Sequence, residues 1–458
     1  MTTQSVPRGR IGLRLRGRDR WIDDWRPEDE AFWKTSGERV ARRNLIFSIL
    51  AEHIGFSVWS LWSVFVLFLG PEYGFDPSQK FLLTALPAAV GAVLRIPYTL
   101  AVARIGGRNW TIISALLVIV PCIATGIILE PGVSFGTLLA VALLAGVGGG
   151  NFASSMANIN SFYPQRLKGW ALGLNAGGGN LGVAAVQLVG LAVLAWAGKD
   201  EPRLVLLVYV PLIAIAALCA SLFMDNLTQA RNERRSMRDT VREPHTWVMS
   251  LLYIGTFGSF IGFSFAFGQV LLVQFADSFS TPVNAAYLTF LGPLIGSLIR
   301  PVGGKLADLF GGARVTMVNF LAMAASASLV LIASLQDSLP LFIAGFLALF
   351  TFSGVGNGST YKMIPAIFSA KARRAEEAGV DEATAEHDHR RRSAGLIGIA
   401  GAIGAGGGVL VNLAFRESFL NQGTGNAAYI SFIAFYMVCL VVTWAVYLRP
   451  HQGRLPGV

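Results

Sequence analysis

Two arginines raise the question of chemistry, because each stands inside a long apolar run. GAVLRIPYTL (91–100) holds Arg95 and GSLIRPVGGK (296–305) holds Arg300. A charge at the centre of a lipid bilayer costs about 2.5–3.5 kcal/mol on insertion scales, so such residues mark function rather than accident. The two also sit in the same local pattern: Arg95 precedes Gly106-Gly107 by eleven residues, and Arg300 precedes Gly311-Gly312 by eleven. Arginine is always charged and presents a planar fork of donors. Two forks facing each other could clamp a small flat oxyanion through charge-assisted hydrogen bonds. The alternative is that each pairs with a carboxylate of the protein. Glu52 is the one Asp or Glu that the sequence places well inside an apolar run.

The elements that must position these arginines are membrane helices. Of 458 residues, 53% are hydrophobic and only 14% charged, where a soluble chain carries about 25% charge. Apolar runs long enough to cross a bilayer recur throughout, and about 20 residues suffice for each. The reading is an all-α polytopic membrane protein with twelve spans near 44–70, 80–103, 110–129, 134–162, 170–198, 204–224, 247–274, 283–309, 315–336, 339–368, 393–415 and 427–448. Arg104, Arg108, Arg166, Lys168, the run RNERRSMRDTVR (231–242), Arg314 and KARR (371–374) all fall in connections of one side. PEYGFDPS, EPGVS, KDEPR, QFADSFSTP and QDS fall on the other. By the positive-inside rule both termini face the cytoplasm of a multi-pass cell-membrane protein. The net charge of +10 is spread over these loops, which argues for topology signalling and against a nucleic-acid partner. Residues 1–43 lack the apolar core of a signal peptide and form a cytoplasmic segment. Part of it is expected to lie on the membrane surface, with Trp21, Trp25 and Trp33 at the interface. Cys122, Cys219 and Cys439 lie within spans, with no disulfide or metal spacing.

The chain repeats itself at an offset of six spans. GVGGGNFASS (146–155) is matched by GVGNGSTYKM (354–363), and LGLNAGGGNLG (172–182) by IGIAGAIGAGGG (397–408). The domains are therefore an N-terminal half (44–224), a central loop (225–246), a C-terminal half (247–448) and a tail (449–458). Two pseudo-symmetric halves place a substrate between them near mid-membrane. Arg95 lies nine residues before Arg104 and Arg300 eight before Asp308, at the inner ends of their spans. That is about 12 Å inside the boundary at 1.5 Å per residue, near the middle of a core about 30 Å thick. The glycine runs let helices approach closely, which permits one half to rock on the other, and they could also expose backbone to a substrate. They are not nucleotide loops, since no strand precedes them. Phe56, Phe152, Tyr253 and Phe257 are candidates for the walls of a narrow cavity, or for core and lipid-facing positions.

These motifs resemble the nitrate/nitrite porter family of the major facilitator superfamily. The resemblance runs from DWRPEDEAFW (24–33) through FLLTALP (81–87) and LRIPY (94–98) to TWAVY (443–447). Its most specific parts are two nitrate signatures, around GWALGLNAGGGNLGVA (169–184) and GLIGIAGAIGAGGG (395–408), supported by NFASSMANINSFYP (151–164) and LLYIGTFGSFIGFS (251–264). The resemblance implies the major facilitator fold, twelve helices in two six-helix halves. It implies nitrate and nitrite as substrates, a monomeric transport unit in membrane lipid, no cofactor and no metal. It also implies that Arg95 and Arg300 bind the anion, that Phe56, Phe152, Tyr253 and Phe257 form aromatic walls, and that Asn175 and Asn180 are polar signature positions, with Gly395 opening the second signature.

One departure concerns AEHIGF (51–56), which puts Glu52 and His53 where the exchanger pattern is apolar. They either bond a neighbouring helix or carry a proton. The expected function is nitrate/nitrite exchange by alternating access. Nitrate–proton symport through Glu52 or His53 is the alternative, and an anion sensor on a transporter scaffold ranks below both. No nucleophile–base pair or metal cluster suggests an enzyme. His387 and His389, in the charged stretch 372–393, are read as solvated rather than metal-binding.

Overall fold

The computed structural model describes residues 15–16, 20–198, 201–229, 236–279, 282–450, 455 and 458. Residues 1–14 of the N-terminal segment, and the side chains of His387 and His389, lie outside the described residues. Among the described residues, twelve helices are long and apolar enough to cross a membrane: α1 (Glu30–Phe68), α2 (Pro77–Ile105), α3 (Gly107–Ile128), α4 (Phe135–Phe162), α5 (Gln165–Ala197), α6 (Arg203–Phe223), α7 (Pro244–Gln274), α8 (Asn284–Phe310), α9 (Gly312–Leu335), α10 (Leu339–Glu377), α11 (Gly395–Gln422) and α12 (Asn426–Leu448). The start of α1, the end of α12 and the α6–α7 connection share one face, called the basic face below.

The ends of these helices follow from local chemistry. Asp76 caps α2 in a reciprocal box with Gln79, and Pro77 fills the first turn. The glycine pairs behind each arginine are turns. Gly106 has φ +97 between α2 and α3, and Gly311 has φ +89 between α8 and α9. Side chains avoid this region of backbone space, so glycine is the residue that fits. The repeat seen in sequence is thus a repeated tight turn, eleven residues beyond each arginine.

Several boundaries differ from the sequence reading. The first helix begins at Glu30 rather than near residue 44, with a π-turn at Trp33–Gly37. Helix α10 runs on to Glu377, and the helix that carries the α11 span starts earlier, at Glu382, behind the cap of Asp381. Both extensions are rich in Glu, Arg and Ala, which favour helix without needing an apolar face. Trp25 and Trp33 are buried in protein rather than laid on a membrane surface. The Trp25 indole donates to the Phe162 carbonyl at 3.2 Å and its ring meets Phe162 edge-on at 5.3 Å, while Trp33 packs on Tyr163. A carbonyl partner plus aromatic neighbours satisfies both ends of the indole.

This N-terminal arm is fastened to the end of α6. Strands β1 (Leu15–Arg16), β2 (Trp21–Ile22) and β3 (Asn226–Leu227) form a small sheet in that order, with Trp21 opposite Asn226 in parallel register. Asp225 is fully buried and takes the Arg20 Nε at 3.0 Å, the Arg43 guanidinium, and the Asn44 amide at 2.9 Å. The first and last helices of the N-terminal half are therefore tied through one carboxylate.

The halves meet along α2 with α11 and along α5 with α8. Away from the basic face the seam is tightly closed. Phe81 stacks on Phe415 at 5.9 Å and on Phe419 at 5.5 Å, and Thr84 donates to the Asn412 side chain at 2.8 Å.

Candidate anion site

Arg95 is 0% exposed and Arg300 4% exposed, and both point into protein at the seam. Arg95 donates from Nη1 to the Gly401 carbonyl of α11 at 2.6 Å, across the halves, and from Nε to the Gly149 carbonyl of α4 at 3.3 Å. Its guanidinium carbon lies over four rings: Phe152 at 4.5 Å, Phe257 at 4.9 Å, Trp59 at 5.6 Å and Phe56 at 6.0 Å. Arg300 donates from Nη2 to the Tyr253 hydroxyl at 3.1 Å and lies 5.5 Å from the Tyr361 ring. Among the described residues neither arginine forms an ion pair with a carboxylate. Arg95 Nη2 and Arg300 Nη1 are buried with no hydrogen-bond partner.

The aromatic rings join the two charges. Phe257 stacks on Phe152 at 5.8 Å and on Tyr253 at 5.1 Å, and Phe152 stacks on Phe56 at 5.9 Å. A continuous path therefore runs from Arg95 through Phe257 and Tyr253 to Arg300. Ring faces over a guanidinium offset part of its desolvation without neutralising it. All four aromatic candidates thus stand beside the arginines.

Irregular helix turns put these groups in place. The GVGGG run of α4 is a 3-10 segment, Gly146–Gly150. Tight turns inside a longer helix often mark functional sites. A Cβ on Gly149 would stand 2.8 Å from the Gly91 Cα and 2.6 Å from the Trp59 ring. Glycine alone lets α1, α2 and α4 converge there, so that the Gly149 carbonyl reaches Arg95. In the other half, α7 carries a π-turn at Ile254–Gly258, just past Tyr253, which includes Phe257.

The remaining sequence candidates are distributed less uniformly. Asn175 sits in a buried cluster between α1, α4 and α5, where its amide donates to Glu52 at 2.8 Å and to Ser155 at 2.6 Å. Glu52 is buried, and its Oε1 has no partner. His53 Nδ1 lies 3.0 Å from the Gly178 carbonyl of α5. Asn180 is fully buried with neither amide atom partnered. Gly395 is buried on α11, six residues before Gly401, whose carbonyl meets Arg95. Among the described residues no His, Cys, Asp and Glu group could hold a metal ion.

Sequence reasoning missed Trp59, Tyr361 and the two carbonyl acceptors. Trp59 lies three residues after Phe56 and so on the same helix face. Tyr361 lies one residue past Thr360, which the repeat pairs with Phe152. The carbonyls leave no side-chain signal.

Comparison with known proteins gives consistent results. The profile described as Major Facilitator Superfamily matches residues 47–409. The chain is 39% identical over 454 residues to the "Nitrate/nitrite transporter NarU" of Salmonella typhimurium, covering 93% of this chain and 96% of that protein. It is 34% identical over 456 residues to the "Probable nitrate/nitrite antiporter NarK2" of Thermus thermophilus, covering 94% and 97%. Among solved structures, a bacterial homologue of the lysosomal transporter Spinster, in an inward-facing and occupied conformation, matches with a TM-score of 0.61 at 16% identity. That match covers 88% of this chain and 95% of the other, and bears on the fold alone.

Proposed function

The chain belongs to the nitrate/nitrite porter family of the major facilitator superfamily, whose members are transporters and not enzymes, and from that premise we propose that it exchanges nitrate for nitrite across the membrane. The observation that carries this reading is the pair of buried guanidiniums that, among the described residues, have no carboxylate partner and each keep one unpartnered nitrogen. A planar oxyanion accepts hydrogen bonds in its own plane, which suits two opposed forks. Arg95 Nη2 and Arg300 Nη1 donate to its oxygens, and Phe152, Phe257 and Tyr253 exclude water from its faces. Both termini and the basic loops lie in the cytoplasm, and one chain is the transport unit.

Exchange follows from charge. Two like charges opposed in a medium of low dielectric repel strongly. A bound monoanion halves the net charge and bridges the halves, so the loaded carrier switches sides more readily than the empty one. Symport is the second reading, favoured by one observation: Glu52 is buried beside Asn175 with one oxygen unpartnered. A counterflow assay in proteoliposomes separates the two. Under exchange, internal nitrite accelerates nitrate influx and an imposed pH gradient has little effect. Nitrate accumulation driven by a proton gradient into nitrite-free vesicles, abolished in Glu52→Gln, would replace exchange with symport.

A further inference from the structure

A second basic site lies far from the arginine pair, where α1 emerges at the basic face. There a groove of about 400 Å³ is lined by Lys34, Arg39, Arg42, Arg43, Ile46 and Phe47. Positions 39, 42, 43 and 46 fall on one stripe of a helix. Two of the cations already have partners: Lys34 bonds Glu30 at 3.1 Å, and Arg43 is held by Asp225. Arg39 and Arg42 are exposed and form no ion pair among the described residues. Glu38 also lines the groove, so two free cations face one carboxylate.

The chemistry changes abruptly one turn along the stripe. Ile46 is 51% exposed, and Phe47 stacks at 4.7 Å on Phe223 of α6, itself 41% exposed. Charge therefore gives way to bare apolar surface within about 5.4 Å, one helical turn. That is the sequence of environments in a phospholipid, from charged headgroup to acyl chain. A soluble anion would use the cations and leave the apolar shelf unexplained. Basic pockets beside membrane helices attract anionic headgroups, and each Lys or Arg near such a surface contributes about 1 kcal/mol.

We infer that this groove is a binding site for an anionic phospholipid, with the headgroup phosphate on Arg39 and Arg42 and an acyl chain along Ile46, Phe47 and Phe223. The site also touches Arg43, hence the Asp225 node, so the lipid braces the first helix against the sixth.

The test titrates phosphatidylglycerol against the full-length protein in detergent. Bound adducts are counted by native mass spectrometry, and the melting temperature is followed in parallel. Wild type is expected to retain phosphatidylglycerol in preference to phosphatidylcholine and to melt higher with it. Arg39→Gln with Arg42→Gln should weaken that retention about tenfold or more, given two lost charges. Arg39→Lys with Arg42→Lys should keep most of it. Arg373→Gln with Arg374→Gln, two arginines at the far end of α10, controls for total charge and should leave retention unchanged. Ile46→Ser should weaken retention without altering charge. Equal retention in the Arg39/Arg42 glutamine variant, equal loss in the Arg373/Arg374 control, or the full melting shift from inorganic phosphate alone would each overturn the assignment. The lipid-free melting temperature shows whether the glutamine variant is folded; if it is not, the lysine pair and Ile46→Ser decide.

Discussion

Arg95 and Arg300 share a charge but not a set of partners. Arg95 has two backbone carbonyls and four rings, whereas Arg300 has one phenol and one ring. Lysine at either position would keep the charge and lose the fork. With each charge-assisted hydrogen bond worth about 1.5–3 kcal/mol, Arg95→Lys and Arg300→Lys are expected to cut nitrate uptake in proteoliposomes by about tenfold to a hundredfold. Their chromatographic behaviour should stay that of a folded protein. Near-normal uptake in both would show that charge alone suffices. Glu52→Gln keeps the length and one acceptor oxygen of the side chain that Asn175 bonds. Under exchange it should retain most of its counterflow activity; loss of counterflow with nitrite on both sides would make Glu52 part of the anion path itself. At this scale the arginines were legible because charge in an apolar run is rare. Trp59 and Tyr361 were not, because an aromatic residue in a membrane helix is ordinary until its neighbours are known.

The elements that hold the site depart from regular helix where the arginines need partners. Gly149→Ala would press a methyl against the Gly91 backbone and the Trp59 ring. Such overpacking costs about 1–3 kcal/mol. The variant is expected to melt lower and to transport poorly, since the carbonyl used by Arg95 moves with it. Gly173 and Gly177 in the first signature supply the contrast, for a Cβ at either meets nothing within 4 Å. Gly177→Ala should match wild type in melting temperature. A normal Gly149→Ala protein beside a damaged Gly177→Ala protein would reverse this assignment of close packing. The glycine runs were visible as such, yet composition could not say which members touch backbone. Nor did it announce the 3-10 turn of α4 or the π-turn of α7, because neither turn has a side-chain signature. The long polar ends of α10 and α11 fall outside the spans expected from the sequence for another reason: hydropathy marks what lies in lipid, not what is helical.

The whole molecule is two repeats closed on one side. The repeat was legible from glycine pairs and signatures; which side is closed was not, because both states use the same residues. The closed seam rests on Phe81, Phe415, Phe419 and the Thr84–Asn412 bond. Thr84→Ala removes one buried hydrogen bond worth about 1 kcal/mol, which should shift the balance about fivefold toward opening on that side. An impermeant maleimide applied there should label Phe419→Cys correspondingly faster in the Thr84→Ala background, measured against a chain lacking the three native cysteines. Unchanged labelling would mean that the Thr84–Asn412 bond does not hold the seam. The Asp225 node bears on a different matter, the continuity of the polypeptide. Arg20, Arg43 and Asn44 reach this carboxylate from the front of the chain, and it directly follows the sixth span. The N-terminal half is thus stitched to itself at the first residue of the central loop. The expectation is that this loop acts chiefly as a tether that raises the encounter rate of the two halves. A gene cut within codons 230–235 and expressed as two fragments should still yield a transporter, with the bilayer supplying the confinement that the peptide link no longer gives.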